Sequence, residues 1–414
     1  FAAISADLRS PAPMCRLLQG DVGSGKTALA FLACLAVVAE GAQAFVLAPT
    51  SVLAAQHHAF FAGCLAGSRV RVSLLTGATR AEERAGVLAA LAAGDVDILI
   101  GTHAVIEEGV HASQLGIAVI DEQHKFGVAQ RAALVAKAAT GQTYRPDVLL
   151  LTATPIPRTL ALTAFGDLAV SRIAGRPPGR GAVTTEVARL PTLGGIDSAL
   201  SSALGADGRA FVVCPRKEET QEAKAFAAAA VHRHLVACFP GQVALIHGDL
   251  SEDDKNRALE SFAHGSARIL VTTTVVEVGI DVAAATLLLV LDAERFGLAQ
   301  LHQLRGRIGR GSAPGRCILY HRSEDAPDRL LVLAQSDDGL AIAEADLATR
   351  GPGELLGTSQ HGAFALRIAD LPRDIDLLQD AHESVRRAIA RGETMPAGLQ
   401  RFLGTTEARW LEGG

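Results

Sequence analysis

Cysteine is scarce in this sequence, and its distribution excludes several classes of protein. The 414-residue chain has six cysteines, and no two of them form a C-x-x-C pair or a dense cluster. This pattern excludes a disulfide scaffold and a zinc ribbon, and it favours the reducing environment of the cytosol. The six positions are Cys15, Cys34, Cys64, Cys214, Cys238 and Cys317.

Aromatic residues, long apolar runs and an excess of positive charge are also lacking. Phe, Trp and Tyr make up 4% of the chain, which leaves little material for the base-stacking platforms of single-strand-binding proteins. The longest apolar run, ALAFLACLAVVAEG from Ala28, is too short to span a bilayer and is alanine-rich like a packed helix. The net charge of −5 gives no overall attraction to nucleic acid, although local basic faces can still bind phosphate.

The chain does contain two series of short apolar runs that alternate with helical stretches. The first has AFVLAPT, VDILIGTHA, IAVIDEQH and DVLLLTATP, and the second has AFVVCP, VALIHGDL, ARILVTTTVVEVG and ATLLLVLDAE. Apolar strands that end in polar clusters predict parallel α/β sheets with ligands at the strand ends. Between the series, AGRPPGRGAVTT resists both helix and sheet and predicts a hinge. We therefore predict an α/β protein with a first lobe at 1–173, a hinge at 174–184, a second lobe at 185–330 and a helical tail at 331–414.

The segment GDVGSGKT predicts a phosphate-binding loop. It follows the apolar run CRLL and opens a helical stretch, which is the context that G-x-x-x-x-G-K-[ST] requires. Glycines let backbone N–H groups surround phosphate oxygens, the lysine reaches the terminal phosphates and the hydroxyl holds Mg²⁺. The candidate residues are Gly20, Gly23, Gly25, Lys26 and Thr27.

The apolar strand IAVIDEQH supplies two carboxylates at its tip. Asp121 is the candidate Mg²⁺ ligand, and Glu122 is the candidate base that polarises the attacking water. Gln123 and His124 come next, in positions from which they could sense hydrolysis of the nucleotide. An acid pair at a strand end is common by itself, but downstream of a phosphate-binding loop it indicates an NTPase.

The segment QLHQLRGRIGRG predicts arginines that act from the second lobe. Gln303, Arg307 and Arg310 are spaced i, i+4 and i+7, which predicts one face of a helix. Two guanidinium groups on that face can reach a γ-phosphate held by the first lobe and stabilise charge in the transition state. The alternative is a solvated basic helix or a nucleic-acid-binding face.

Seven segments resemble, in order, the motifs of superfamily-2 helicases and translocases. Their motor has two RecA-like lobes with ATP in the cleft, and the resemblance covers essentially the whole chain. It implies ATP and Mg²⁺ as cofactors. The segments are GDVGSGKT, APTSVLAAQ, GTHAVIEEG, DEQH, TATPIPRTL, TTTVVEVGIDV and QLHQLRGRIGRG.

Within the superfamily the chain is most similar to the RecG family, which remodels stalled replication forks and Holliday junctions. DEQH, TATPIPRTL, ERFGLAQLHQLRGRIGRG and ATRGPGELLGTSQHG carry this similarity. The Mfd family of transcription-repair coupling factors shares the proline-bearing motif and the tail segment. Its motif II more often resembles D-E-E-H, whereas this chain has Gln123 and GPGELLG, which favours RecG.

The resemblance implies roles for residues outside the nucleotide site. The tail segment resembles the TRG motif, a helical hairpin and loop that turns lobe closure into movement along duplex DNA, and its candidates are Arg350 and Gln360. The alternative for this segment is an ordinary helix–turn–helix cap on the second lobe. The candidates for coupling and nucleotide contact in the other motifs are Thr152, Thr154, Gly279 and Asp281. The candidates for DNA contact are Thr50, Gln56, Thr102, His103, His247 and Thr273.

The predicted function is an ATP-dependent translocase on duplex or branched DNA, monomeric and located in the bacterial cytoplasm. A single-strand-binding protein is a further partner to consider, and no membrane partner is expected. An Mfd-like motor and a nucleotide-gated DNA clamp without turnover stay as alternatives. Because the chain opens at Phe1 inside a helical pattern, we expect a fragment whose family counterpart has an upstream wedge domain and an adenine-reading glutamine.

Overall fold

The computed structural model describes most of the chain, including both sheets and parts of the tail. The described residues are 1–107, 109–122, 145–153, 168–173, 181–190, 192–205, 208–215, 228–273, 284–309, 311, 313–350 and 374–403.

The first lobe is built on a seven-stranded parallel sheet. Its strands are β1 (Cys15–Gln19), β2 (Gln43–Leu47), β3 (Val72–Leu75), β4 (Ile98–Gly101), β5 (Leu115–Ile120), β6 (Asp147–Thr152) and β7 (Ala169–Arg172), in the spatial order β3-β4-β2-β5-β6-β1-β7. The described helices of this lobe are α1 (Ala2–Asp7), α2 (Lys26–Ala39), α3 (Ser51–Cys64) and α4 (Ala81–Ala92), with a short 3₁₀ turn at His103–Val105.

The second lobe is built on a six-stranded parallel sheet. Its strands are β8 (Val183–Arg189), β9 (Arg209–Val213), β10 (Val243–Ile246), β11 (Ile269–Thr272), β12 (Ala285–Val290) and β13 (Gly315–His321), in the order β10-β11-β9-β12-β13-β8. Its described helices are α5 (Gly195–Ala203), α6 (Ala228–Cys238), α7 (Glu252–His264) and α8 (Leu298–Arg305), with a 3₁₀ turn at Ala293–Arg295. The two-lobe parallel α/β fold predicted from the sequence is confirmed.

One boundary differs from the sequence prediction. Strand β8 begins at Val183, inside the segment expected to be hinge, and Val183 pairs with Gly315 of β13. The prolines and glycines of AGRPPGRGAVTT end before this point, and its last residues, Val183 to Thr185, are β-branched and suit a strand.

The two sheets have equivalent strand orders. Six strands of the first sheet, β3-β4-β2-β5-β6-β1, match β10-β11-β9-β12-β13-β8 position by position. The equivalent central strands β5 and β12 are each followed by a non-glycine residue with a positive φ of 50°, Glu122 and Asp292. The same bend therefore recurs at the same place in both lobes.

Alternate residues of the strands fill separate cores on the two faces of each sheet. On β2, Phe45 and Leu47 belong to one buried cluster, and Ala44 and Val46 belong to the other. Side chains of a strand point alternately to opposite faces, and a parallel sheet covered on both sides needs apolar residues at every position. This explains the nearly continuous apolar runs in the sequence.

The described tail is helical. It contains α9 (Asp328–Gln335), α10 (Gly339–Arg350), α11 (Ile375–Ala390) and α12 (Ala397–Leu403). Helices α9 and α10 pack against α8 of the second lobe, and the carboxylate of Asp346 on α10 accepts a hydrogen bond from Ala299 N at 3.4 Å. Among the helices of the described residues, none is both long enough and apolar enough for a bilayer span.

Candidate functional site

Three neighbouring strands of the first lobe bring the predicted nucleotide residues to one edge of the sheet. β5, β6 and β1 lie side by side. β1 leads into the loop that ends at Lys26, β5 leads into Asp121 and β6 ends at Thr152. Because the carboxyl ends of parallel strands share one edge, residues distant in sequence meet there.

The loop between β1 and α2 has the backbone of a phosphate cradle. Gly23 and Gly25 have φ values of 79° and 94°, a region that suits glycine because it has no Cβ. A Cβ at Gly20 would lie 2.5 Å from Ser24 Oγ. Gly20 N donates to Thr152 O at 3.3 Å, which fixes the loop to the end of β6. Helix α2 then begins at Lys26, so its N-terminal N–H groups face the cradle.

Lys26 is buried at the centre of this site. Its ammonium group donates to the carbonyl oxygens of Gly20 and Asp21, at 2.7 and 2.9 Å, and the residue is 8% exposed. Burial lowers the pKa of Lys26 below its ordinary value, and the nearby carboxylates of Asp121, Glu122 and Asp21 oppose that shift.

The acid pair after β5 is held in a defined geometry. Asp121 is 8% exposed and its Oδ1 accepts a hydrogen bond from Glu122 N at 3.0 Å. Glu122 has a left-handed backbone, with φ of 50°. Such a conformation costs free energy for a residue with a Cβ and is found mainly where a site requires it.

His57 joins this pair and was missed by sequence reasoning. Its Nε2 lies 2.9 Å from Asp121 Oδ2, and both side chains are buried. His57 lies on the buried face of α3 together with Ala54 and Phe61. That spacing was visible in the sequence and places a polar ring on an apolar helix face, but its partner is 64 residues away along the chain.

Arg307 of the second lobe lies close to the cradle of the first. Its positive charge also lowers the pKa of Lys26. The two lobes meet around this point, because His302 Nε2 lies 3.3 Å from Asp21 Oδ1 and a Cβ at Gly306 would lie 3.1 Å from Val22 Cγ2. Neither His302 nor its contact with Asp21 was predicted, because only the packing of the lobes reveals it.

The predicted helical face of Gln303, Arg307 and Arg310 is wrong. Helix α8 ends at Arg305, and Arg307 lies in the following turn, where Gly309 has a φ of 63°. Gly306 is the C-terminal cap of α8, with φ of −62°, so Arg307 is presented from the turn that follows the helix. Gln303 is buried on α8, and Arg310 lies outside the described residues.

The neighbouring arginine of the same segment has a different task. Arg305 is buried and its Nη1 donates to Leu333 O and Ser336 O at 2.6 and 2.9 Å. It also lies 3.4 Å from an Asp337 carboxylate oxygen. Arg305 therefore ties the end of α8 to α9 and to the segment that joins α9 and α10.

Several predicted coupling and nucleotide residues fall outside the described part of the chain. Thr152 is described and is fully buried at the end of β6. Arg350 is the last residue of α10, and its side chain is outside the described atoms. The residues that lie outside the described ranges are Gln123, His124, Thr154, Gly279, Asp281 and Gln360.

The predicted DNA-contact residues of the first lobe differ in exposure. Thr50 caps the N-terminus of α3 by accepting from Leu53 N at 3.4 Å, and Gln56 on the same helix is exposed. Thr102 is 4% exposed, so its side chain does not face solvent. His103 is exposed but lies 3.7 Å from a Glu107 carboxylate oxygen.

The second lobe carries the other two predicted DNA contacts. His247 Nδ1 lies 3.7 Å from an Asp249 carboxylate oxygen. Thr273 follows β11, and its N–H donates to Ile246 O at 3.3 Å. Both residues thus lie at the carboxyl edge of the second sheet, beside β10 and β11.

The donor set of the site fits Mg²⁺ and a nucleotide phosphate chain. Thr27 and Asp121 offer hydroxyl and carboxylate oxygens, the ligands that Mg²⁺ prefers. The space beside Gly25, where a Cβ would lie, is open within 4 Å, so an anion can approach the backbone. Lys26 and Arg307 supply the positive charge that phosphates require.

Three family models match the chain in consecutive segments. They are the DEAD/DEAH box helicase model at residues 10–163, the helicase conserved C-terminal domain at 196–312, and the C-terminal part of domain 3 of the ATP-dependent DNA helicase RecG at 336–398. With the fold and the cradle, these matches define a protein of the two-lobe helicase class.

Curated relatives narrow the class. The ATP-dependent DNA helicase RecG of Thermotoga maritima is 43% identical over 401 residues, covering 96% of this chain and 51% of the relative. RecG of Escherichia coli K12 is 42% identical over 412 residues, covering 98% and 59%. The chain belongs to the RecG family, and it spans between half and three-fifths of the length of these relatives.

Solved structures agree with this assignment. A structure described as RecG bound to a three-way DNA junction matches with a TM-score of 0.73 and 40% identity, covering 91% of this chain and 49% of that one. The helicase MrfA bound to DNA matches with a TM-score of 0.60 and 16% identity, covering 78% and 48%. The second likeness shows the shared fold alone.

Proposed function

We propose that this chain is a motor that hydrolyses ATP with Mg²⁺ and moves along duplex or branched DNA. We propose further that it remodels stalled forks and Holliday junctions in recombination and repair. The observation that carries the proposal is the contact between the two lobes next to Arg307. Gly306, the residue before it, packs against Val22 of the cradle, where a Cβ would lie 3.1 Å from Val22 Cγ2. The 40–43% identity to RecG proteins, one of which is bound to a three-way DNA junction, supports the choice of DNA.

Each residue of the site has a chemical task in this proposal. Lys26 exchanges its two carbonyl partners for phosphate oxygens, and Thr27 and Asp121 would hold the metal ion. Bound ATP supplies the phosphoanhydride bond, and Mg²⁺ neutralises phosphate charge. Glu122 orients the attacking water and accepts its proton. Arg307 stabilises the negative charge that develops on the transferred phosphoryl group.

The contacts of α8 support a route from the nucleotide to the tail. α8 lies between the cradle, which His302 contacts, and the tail helices, which Arg305 and Ala299 contact. A shift of α8 when the lobes close on ATP would therefore move α9 and α10 with it. We propose that the tail uses this movement to advance on the duplex, with phosphate contacts that read no sequence.

The test is the rate of ATP hydrolysis by the full chain with and without forked DNA. We expect the parent to be stimulated by forked DNA, and Lys26→Ala to lose about 100-fold or more of the stimulated rate, because a preorganised charge at the reacting phosphate is worth at least that. Lys26→Ala should still bind forked DNA, since Lys26 is buried at the nucleotide site.

Two outcomes would contradict the proposal. Stimulated hydrolysis that is unchanged in Lys26→Ala would place the chemistry elsewhere. Tight fork binding by the parent without any hydrolysis would instead support a nucleotide-gated clamp.

A further inference from the structure

A second cluster of metal-ligand side chains lies on the outside of the second lobe, away from the nucleotide site. It consists of Asp197 on α5 and of His234 and Cys238 on α6, whose nitrogen, oxygen and sulfur atoms all lie within 4.8 Å of one another. It is the one group of this kind in the part of the chain that the structure describes. The nucleotide chemistry proposed above makes no use of it.

The helices fix the positions of the three side chains. His234 and Cys238 are one helical turn apart on α6, so they project from the same face. Asp197 lies in the first turn of α5. Both helices are anchored in the same hydrophobic core, α5 through Ile196 and Leu200. Ligands on packed helices are held more rigidly than ligands on loops.

The interatomic distances approach those of a tetrahedral zinc site. A Zn²⁺ ion at about 2.0–2.3 Å from nitrogen, oxygen and sulfur ligands separates them by about 3.3–3.6 Å. Here Cys238 Sγ lies 3.8 Å from an Asp197 oxygen and 4.0 Å from His234 Nε2, and His234 Nε2 lies 2.9 and 3.1 Å from the two Asp197 oxygens. Shifts of about half an ångström would bring the three ligand atoms to bonding distance from one ion.

The ligand types select the metal. Thiolate and imidazole favour Zn²⁺ and other borderline-soft divalent ions over Mg²⁺ and Ca²⁺, which prefer oxygen. Cys238 is exposed and the other two side chains are about 30% exposed, so an ion can enter from solvent. Three protein ligands leave a fourth tetrahedral position for water.

We propose that Asp197, His234 and Cys238 form a binding site for Zn²⁺ that joins α5 to α6 on the outer face of the second lobe. Without the metal, the same three side chains form a hydrogen-bonded cluster, in which the carboxylate accepts from the imidazole and from the thiol. With the metal, those contacts are replaced by bonds to one ion. The site stabilises the lobe and takes no part in hydrolysis.

Cobalt substitution tests the proposal, because a thiolate bound to Co²⁺ gives a near-ultraviolet charge-transfer band. The probe is Co²⁺ alone, titrated into the reduced full chain without a polyhistidine tag. We expect one equivalent to bind with this band and with the visible spectrum of tetrahedral Co²⁺, and Zn²⁺ to remove both. An oxygen-ligand site such as Thr27 and Asp121 gives no thiolate band, so the nucleotide site cannot imitate the result.

Variants test whether the charge-transfer band comes from the cluster of Asp197, His234 and Cys238. Cys238→Ser should abolish it, and His234→Ala should weaken Co²⁺ binding by about 100-fold, since even loss of an outer-shell partner costs about 10–100-fold. Cys64→Ser is the matched control, because Cys64 is also exposed and lies in the other lobe, and it should keep the band unchanged. Zn²⁺ should raise the thermal midpoint of the parent and of Cys64→Ser, but not that of Cys238→Ser.

The proposal is overturned by a parent that shows no thiolate band at excess Co²⁺, by a band that survives in Cys238→Ser, or by a band that disappears in Cys64→Ser. Circular dichroism of each metal-free variant establishes that it is folded before the titration. If Cys238→Ser does not fold, the Co²⁺ affinity of His234→Ala decides instead, and an affinity equal to that of the parent overturns the proposal. Failure here leaves the proposed motor function untouched, because the two sites share no residue.

Discussion

His57 shows how one buried side chain can support a site that it does not enter. Its ring lies against Asp121, the candidate metal ligand, at 2.9 Å. It also belongs to α3, the helix that Thr50 caps and that carries the exposed Gln56. The residue therefore links the candidate DNA-facing helix to the carboxylate that would hold Mg²⁺.

We expect His57→Ala to lower the DNA-stimulated rate of ATP hydrolysis by about 10–100-fold, the usual effect of losing a partner that orients a metal ligand. His57→Gln should restore most of the rate, because an amide N–H can still donate to Asp121. His58→Ala is the control and should hydrolyse ATP like the parent. A purely structural role for His57 would instead lower the thermal midpoint and leave the rate per folded molecule unchanged, in Ala and Gln variants alike.

At the scale of single elements, β4 depends on a close approach of two backbones. A Cβ at Gly101 would lie 1.9 Å from the carbonyl oxygen of Leu75 and 2.6 Å from Val105 Cγ2. Gly101 ends β4 directly before Thr102 and His103. Because Gly101 has no side chain, β4 can approach Leu75 this closely, and the close approach sets the position of these two candidate DNA contacts.

Gly101→Ala should destabilise the first lobe by about 1–3 kcal/mol or more, as overpacking does where the neighbour is backbone and cannot move aside. Gly77→Ala is the matched control, because nothing lies within 4 Å of its Cβ position. Urea unfolding of the three proteins measures the difference. Equal stabilities of the two variants would show that β3 and β4 can separate at this point without cost.

The pairing of β8 with β13 carries an ion pair between Glu186 and Arg316, with a nitrogen–oxygen distance of 2.8 Å. The hydrogen bonds from Arg316 hold the pKa of Glu186 below its ordinary value of 4.5. A carboxyl group whose pKa is lower in the folded state stabilises the fold above the unfolded-state pKa, and this contribution is lost as pH falls through the folded-state pKa.

Glu186→Gln should therefore lower the free energy of unfolding at neutral pH by about 0–1 kcal/mol, a small amount because both side chains are about half exposed. The difference between parent and variant should shrink as the pH falls below 4.5 and on through the lowered pKa of Glu186. Denaturant unfolding across this range measures it. A difference that stays constant with pH would mean that charge is not its cause.

At the scale of the whole molecule, the site exists only where the two lobes meet. Lys26 and Arg307 are 281 positions apart by their numbers, and neither lobe alone provides both charges. The small cavity between the lobes is lined by Asp21 and Val22 of one lobe and by His302 and Gly306 of the other.

Arg307→Ala and Arg305→Ala should distinguish the catalytic role of Arg307 from the structural role of Arg305. We expect Arg307→Ala to reduce DNA-stimulated hydrolysis by about 10³-fold or more, the effect of removing an arginine that stabilises the transition state, with fork binding kept. Arg305→Ala should lower the thermal midpoint, because it leaves the carbonyl groups of Leu333 and Ser336 without their donor. If both variants lowered the rate of hydrolysis and the thermal midpoint to the same extent, this assignment of roles would be wrong.

The sequence predicted the elements better than it predicted their contacts. The runs that became β2, β4, β5 and β6 were recognised because each is a short apolar segment with a polar end. The sequence does not single out β3 and β7, since each has only four residues and a serine interrupts its apolar run. The spacing of Arg307 fits a helix, whereas the helix ends at Arg305 and Gly306 caps it.

By itself the sequence determined the two-lobe α/β class, the phosphate-binding loop and the acid pair, because glycine spacing, a lysine and a strand-end carboxylate pair are local features that constrain the nearby backbone. Only the tertiary structure decided that His57 supports Asp121, that His302 and Arg307 meet the cradle, and that Asp197 joins His234 and Cys238. These contacts join residues that are far apart along the chain. Sheet order and lobe packing determine their distances, and no local pattern encodes them.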